Sequence, residues 1–261
     1  MKNTKEKNIQ LLSNVYDSSY LHIEKKDAIA YFFQYEAKEG KKRLRLPDGS
    51  VELSFQFDAD SSIYLSGAYD SINEVTYPHS GTVFGIVFLP ALVPSPWQSQ
   101  FKFSDLKNQT LVLSSNDFPE LQAIFQASSF QSRIKLARSL FSFSIYFNGS
   151  DLLNYISTQI YMNKGNIHLS NLYQEMGYTR QYINQLFKAE IGLNPKYFCK
   201  VLRFQYLIYC ISSYYPEQRL NQIAKKCGYF DQSHMNKEFK EFTNANPEIF
   251  LRQNKKLLNL E

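Results

Sequence analysis

The feature that most constrains this chain is an internal repeat in its C-terminal part. Residues 169–195 read LSNLYQEMGYTRQYINQLFKAEIGLNP, and residues 220–247 read LNQIAKKCGYFDQSHMNKEFKEFTNANP. Leu169 aligns with Leu220, Leu172 with Ile223, Met176 with Cys227 and Gly177 with Gly228 at a spacing of 51. From Thr179 and Asp231 onward the spacing is 52, through Asn184 and Asn236, Phe187 and Phe239, and Pro195 and Pro247. One residue inserted in the second turn accounts for the step. A repeat of this length is a pair of similar supersecondary units.

Each copy reads as helix, turn, helix. Leu169, Leu172 and Met176 in the first copy, and Leu220, Ile223 and Cys227 in the second, give a short helix one apolar stripe. Gly177 and Gly228 then stop it where the chain needs a positive φ. Thr179 and Asp231 carry side-chain oxygens suited to cap the next helix. That helix buries Ile183, Leu186 and Phe187 in one copy, and Met235 and Phe239 in the other. Gly192 and Asn244 stand at the left-handed C-terminal position, and Pro195 and Pro247 open the following helices. A helix pair of this kind can lay its second helix in the major groove of duplex DNA, where all four base pairs are distinguishable.

From Asp151 to Lys255 the chain resembles the DNA-binding domain of the AraC/XylS family of transcription regulators. Ile223, Ala224, Gly228, Tyr229, Asp231, Ser233, Phe239, Lys240 and Pro247 match the family's second motif. Arg203, on the helix expected from Pro195 to about Ser213, stands where the family has an arginine. Tyr173 and Leu207 depart from it, each replacing a usual alanine, which implies a repacked first module. The resemblance implies that Gln181, Asn184 and Gln185 approach bases from the first reading helix, and Gln232, Ser233, Asn236 and Lys237 from the second. Amide side chains suit adenine, whose N6 and N7 they can pair together. Arg180, Lys188 and Lys240 are assigned to phosphates, contacts that position without specifying. The connecting helix would hold the two reading helices about one DNA turn, roughly 34 Å, apart.

Charge distribution agrees with this assignment. Residues 1–150 carry 15 Lys+Arg against 15 Asp+Glu, and residues 151–261 carry 14 against 9, so the whole net charge of +5 lies in the C-terminal part. That asymmetry is expected if one end touches phosphate. Cys199, Cys210 and Cys227 match neither a zinc spacing nor a disulfide framework, which points to a reducing, cytoplasmic setting. No apolar run is long enough for a membrane span, and the opening MKNTKEKNIQLL lacks the apolar core of a secretion signal.

The first 150 residues are of another kind. Aromatic and β-branched runs at Ile29–Tyr35, Val51–Phe57, Ile63–Ser66 and Val83–Leu89 predict strands. Turn signals separate them at Pro47-Asp48-Gly49, Asp58–Ser62 and Pro78–Gly81. Val51, Leu53, Phe55 and Phe57 alternate with Glu52, Ser54 and Gln56, the pattern of a strand with one wet face. The Lys41, Lys42, Arg43 and Arg45 cluster reads as a solvated hairpin edge, and Asp48 as a turn residue. Helical spacing takes over from about Phe118 to Phe147, and Asn148-Gly149-Ser150 is the expected boundary. The expected fold class is therefore α+β. Residues 1–149 form a mostly antiparallel β domain closed by helices; residues 150–257 form an all-α domain of two helix-turn-helix modules joined by a long helix.

LPDGSVELSFQF from Leu46, GAYDS from Gly67 and GIVFLPA from Gly85 resemble an uncharacterised β-rich domain found fused to AraC-type heads, over about residues 25–110. That resemblance implies a sensor or oligomerisation role and brings no ligand with it. His22 and His79 are too few imidazoles for a β-barrel metal centre, and no nucleophile motif accompanies them. Hence no catalytic residue, metal or cofactor is expected. The expected partners are promoter duplex DNA, RNA polymerase, a small-molecule effector and a second copy of the chain, with activation as the expected mode. The alternatives are a constitutive or partner-controlled regulator whose N-terminal part serves only protein contact, and an enzyme fused to a DNA-binding tail.

Overall fold

The computed structural model describes residues 29–40, 42–58, 61–76, 79–88, 103–114, 118–142 and 151–253. The N-terminal part is built on an antiparallel sheet of five strands in the order β1 (Ile29–Ala37), β6 (Gly81–Phe88), β3 (Glu52–Phe57), β4 (Ser62–Ser66) and β7 (Thr110–Leu113). A separate ribbon pairs β2 (Lys42–Arg45) with β5 (Asn73–Thr76). The four strands expected from periodicity are present. The three short ones, β2, β5 and β7, were not expected; four residues each leave too little alternation to see.

One face of the sheet carries Phe32, Leu53, Phe55, Phe84, Ile86 and Phe88. On it lie α1 (Gln122–Gln126) and α2 (Phe130–Ser142), through Ile124, Ile134, Ala137 and Phe141. These are the helices expected to close the domain. The abundant aromatics are core: Phe55 meets Phe125 edge-on at 5.6 Å, and Phe88 meets Phe141 at 5.4 Å.

The opposite face corrects the sequence reading. β3 was expected to have one wet side, yet Ser54 is buried and Gln56 is 0% exposed. On this side Tyr31, Phe33, Val83 and Val87 share one apolar cluster with Leu153 and Ile156 of α3 (Asp151–Met162) and with Ile183, Phe187 and Phe198 from further along the chain. A half-polar strand can be dry when another layer covers it; the Gln56 amide nitrogen donates to the His79 carbonyl at 2.9 Å, while its Oε1 is buried without a hydrogen-bond partner. Gly85 permits the fit, since a Cβ there would sit 2.0 Å from the Phe33 ring.

The basic cluster is corrected in part. Arg45 is buried, 3.7 Å from Glu52, with its guanidinium 4.7 Å from the centre of the Tyr69 ring. The Pro-Asp-Gly turn forms as expected: Asp48 Oδ1 accepts the Ser50 N–H at 2.9 Å, and Gly49 has φ +70°. The boundary expected at residues 148–150 lies outside the described residues, as do Lys41, His22 and the end of the GIVFLPA segment.

From Asp151 the chain is helical. The first module is α4 (Leu169–Glu175) and α5 (Arg180–Ile191), and the second is α7 (Leu220–Lys226) and α8 (Gln232–Thr243). Between them runs α6 (Pro195–Tyr214), and α9 (Pro247–Gln253) follows. The second module closes over Phe204, Leu207, Ile208 and Ile211 of α6 with Met235, Phe239 and Phe242 of α8. Leu207 and Tyr173, the two departures from the family pattern, are both buried. So are all three cysteines, which are free thiols.

Candidate nucleic-acid interface

Both reading helices start and stop where the sequence places their caps. Thr179 Oγ1 accepts the Tyr182 N–H at 3.2 Å, and Asp231 Oδ1 accepts the His234 N–H at 2.7 Å. Gly192 and Asn244 both adopt the left-handed conformation, at φ 79° and 55°. Gly177 and Gly228 turn the preceding helices at φ +68° and +81°. The helices begin at Arg180 and Gln232, a spacing of 52, while α4 and α7 begin 51 apart; the inserted residue sits in the second turn.

The apolar stripe of α5 (Ile183, Phe187, Ile191) is buried, with Leu186 half-buried, and the opposite face is left to solvent. Arg180, Gln181, Gln185 and Lys188 are exposed on that face and Asn184 is half-buried. All five line one open groove together with Leu169, Ser170, Tyr173, Asn194 and Lys196. The sequence reading brought the first five together and missed the others. Lys196 and Asn194 belong to the start of α6, so only the fold carries them beside α5. Burial pushes the Tyr173 phenol up to about 12, so it lines the groove as a neutral hydroxyl.

On α8, Met235, Glu238, Phe239 and Phe242 face inward. Ser233, Lys237 and Lys240 are exposed, and Gln232 and Asn236 are half-buried. The Asn236 side-chain oxygen is buried without a hydrogen-bond partner. An amide turned that way offers a base one polar atom rather than two.

The second head is locked to the connecting helix by charge as well as by rings. Arg203 donates from Nε to Glu238 Oε1 at 2.9 Å and from Nη2 to Oε2 at 2.6 Å, and its Nη1 reaches the Gly165 carbonyl at 3.2 Å. Lys200 Nζ lies 2.7 Å from Glu241, also on α8. Phe204 packs against Phe239 and Phe242 with ring centres 5.4 and 4.7 Å apart. At the other end of α6, Phe198 meets Phe187 of α5 at 6.2 Å. α6 is thus a strut shared by the two modules.

The family model described as a helix-turn-helix domain matches residues 172–253. The C-terminal part of this chain is an AraC-type helix-turn-helix domain. Such a domain is the DNA-binding part of a transcription regulator. A second family model, described only as a domain of unknown function, matches residues 26–111. Comparison with curated proteins gave no match. Among solved structures, apo ToxT from Vibrio cholerae, in a variant form, is 15% identical with a TM-score of 0.48, covering 88% of this chain and 99% of that one. ToxT from the same species with bound unsaturated fatty acid is 14% identical with a TM-score of 0.41, covering 88% and 97%. The C-terminal domain of AraT, a response regulator from Geobacillus stearothermophilus, is 18% identical with a TM-score of 0.37, covering 41% and 88%. Among the described residues, no helix is long and apolar enough to cross a membrane.

The β part sits directly on the strut. Tyr197 donates its hydroxyl proton to the Asp70 carbonyl at 2.5 Å, and the Gln205 amide donates to the Pro47 carbonyl at 2.5 Å. The Ile72 N–H donates to the Phe242 carbonyl at 3.0 Å. Leu46 joins the apolar cluster of the second module, and a Cβ on Gly49 would stand 3.1 Å from the Phe198 ring. Lys107 holds Asp70 at 2.6 Å. Burial works against the Asp70 charge, but the Lys107 ammonium and the Asn108 amide outweigh it and keep the carboxyl below its usual range.

Proposed function

We propose that this chain is a sequence-specific transcription regulator that reads two adjacent stretches of promoter DNA, one with α5 and one with α8. The observation that carries the reading is the pair of capped helices, repeated at a spacing of 52, each with its apolar stripe buried and its polar face exposed. Gln181, Asn184 and Gln185 read bases in one half-site, and Gln232, Ser233, Asn236 and Lys237 in the other. Arg180, Lys188 and Lys240 hold phosphates. The division into a regulatory part, residues 1–149, and a reading part, residues 150–257, belongs to this proposal, as does action in the cytoplasm as an activator engaging RNA polymerase.

We further infer that the N-terminal part sets the geometry of the heads. Its turns contact α6 at both Tyr197 and Gln205, and one of its backbone amides bonds to Phe242 of the second module. A small-molecule effector would act by favouring one arrangement of this seat, and only by as much as its affinities for the two arrangements differ.

Binding of the full chain to duplex pools across a salt series tests the reading. Each phosphate contact contributes about −0.9 to the slope of log K against log salt. Replacing Arg180, Lys188 and Lys240 together by alanine should therefore flatten the slope by about 2.7. Salt-independent binding, or none, overturns the assignment.

A further inference from the structure

Tyr178 stands immediately before the cap Thr179, and Phe230 immediately before the cap Asp231. Counted from the caps they hold the same position, one residue before each and 52 residues apart, at the leading end of each reading helix, and Phe230 lies in the turn that carries the inserted residue. Neither matches the function already assigned to the polar faces.

Folding does not use them. A residue before the N-cap often packs on the fourth residue of the helix it precedes, which for Phe230 is Met235. Met235 is fully buried, but Phe230 is 86% exposed, more than any other large apolar side chain among the described residues. Tyr178 and Tyr182 are each 46% exposed and stack on one another, with ring centres 5.5 Å apart and planes 19° apart. Their backbones are nonetheless fixed. The Thr179 and Asp231 caps hold the chain on one side, and the Phe230 N–H points at His234 Nδ1, 3.5 Å away. Each head thus presents an aromatic surface from a rigid root.

In the first head this surface adjoins in sequence the residues that line the groove along α5. Only Thr179 separates Tyr178 from Arg180 and Gln181, and the groove carries the positive charge of Arg180, Lys188 and Lys196. A polyanion is the occupant that this charge favours. The leading end of the second helix of a helix-turn-helix is also the end that meets base edges. On the major-groove edges of the four bases, the only apolar group is the C5-methyl of thymine.

We propose that Phe230 in the second head, and Tyr178 backed by Tyr182 in the first, contact thymine methyl groups and select thymine at one position in each half-site. This rests on the DNA-reading function proposed above and adds a specificity that its polar residues do not supply. The amides read adenine-type edges; the aromatics read methyls.

The test uses the full chain and a duplex selected by the wild-type protein from a random pool. A matched duplex carries deoxyuridine at every thymine, which removes only the methyl groups. Wild type should bind the uridine duplex more weakly, by about four-fold for each methyl that loses its contact. Phe230→Ala should bind the thymine duplex more weakly and lose part of the thymine-over-uridine preference, and Phe230→Ala with Tyr178→Ala should lose the rest. The salt slope should stay at the wild-type value, because no charge is removed. Because the Phe230 ring is exposed, the substitution should also leave thermal unfolding unchanged. Equal wild-type affinity for the two duplexes overturns the proposal, as does full discrimination in the double variant. Wild-type protein that selects no duplex at all would instead overturn the DNA-reading function itself.

Discussion

Arg203 on the connecting helix grips Glu238 on the second reading helix through two parallel hydrogen bonds, of 2.9 and 2.6 Å, with Glu238 only 3% exposed. Both carboxylate oxygens are engaged, and the remaining guanidinium nitrogen bonds to the Gly165 carbonyl. Glu238 directly follows Asn236 and Lys237 on α8, so the pair fixes the roll of that helix on the strut. Breaking such a pair from one side strands a buried charge, at a cost of about 3–5 kcal/mol. Arg203→Met should show that loss in a urea melt of the full chain. Arg203→Met combined with Glu238→Leu should recover much of it; a double variant as unstable as the single would show that packing, not the stranded charge, dominates.

The reading helices depend on their caps. Thr179→Ala and Asp231→Ala should each cost about 0.5–2 kcal/mol in chemical denaturation, because one first-turn N–H loses its acceptor. Unchanged stability in both would place the helix starts elsewhere.

Base and phosphate contacts should separate in affinity measurements over a panel of sequences. Gln181→Ala should cost about 1–3 kcal/mol at the selected site and relax base preference at one position. Lys188→Ala should weaken binding to all sequences alike and flatten the salt slope by about 0.9. A uniform loss for Gln181→Ala would reassign it to positioning.

Contact between the halves is measurable at Tyr197. Tyr197→Phe removes the hydrogen bond to the Asp70 carbonyl while keeping the ring against Phe242, whose centre is 5.7 Å away. The expected cost is about 0.5–1.5 kcal/mol. Amide exchange should rise at residues 69–72 and around α6. Exchange unchanged at both would mean that the two parts do not share the load.

Burial raises the Asp48 carboxyl above its ordinary range, against the pull of Arg45 and the Ser50 N–H. The folded chain therefore keeps this proton to a higher pH than the unfolded chain. This group's contribution to stability is greatest below the unfolded value of about 3.9 and falls as pH rises toward the folded value. Asp48→Asn preserves an acceptor for the Ser50 N–H and cannot ionise. Its stability relative to wild type should rise between about pH 4 and pH 7.5 in urea melts. A relative stability that falls over this range would contradict the buried acid.

The sequence determined the features that are local. A helix cap, a left-handed glycine and an opening proline each act within one turn, so Thr179, Gly192 and Pro195, repeated as Asp231, Asn244 and Pro247, fixed both heads before any packing was known. The strands with five or more alternating residues were legible for the same reason. Tertiary structure decided what the polar alternates of those strands would meet. Ser54 and Gln56 read as a wet face, yet the first head and α3 cover that side of the sheet. Arg45 read as a solvated edge, yet it lies buried beside Glu52 and Tyr69. The placement of Lys196 beside α5, and of the Pro47 carbonyl against Gln205 158 residues away, likewise appears only in the folded chain. Periodicity reports which face of an element is apolar. Whether a polar face is wet depends on which distant element packs on it and whether its hydrogen bonds are met there, and no local pattern encodes that.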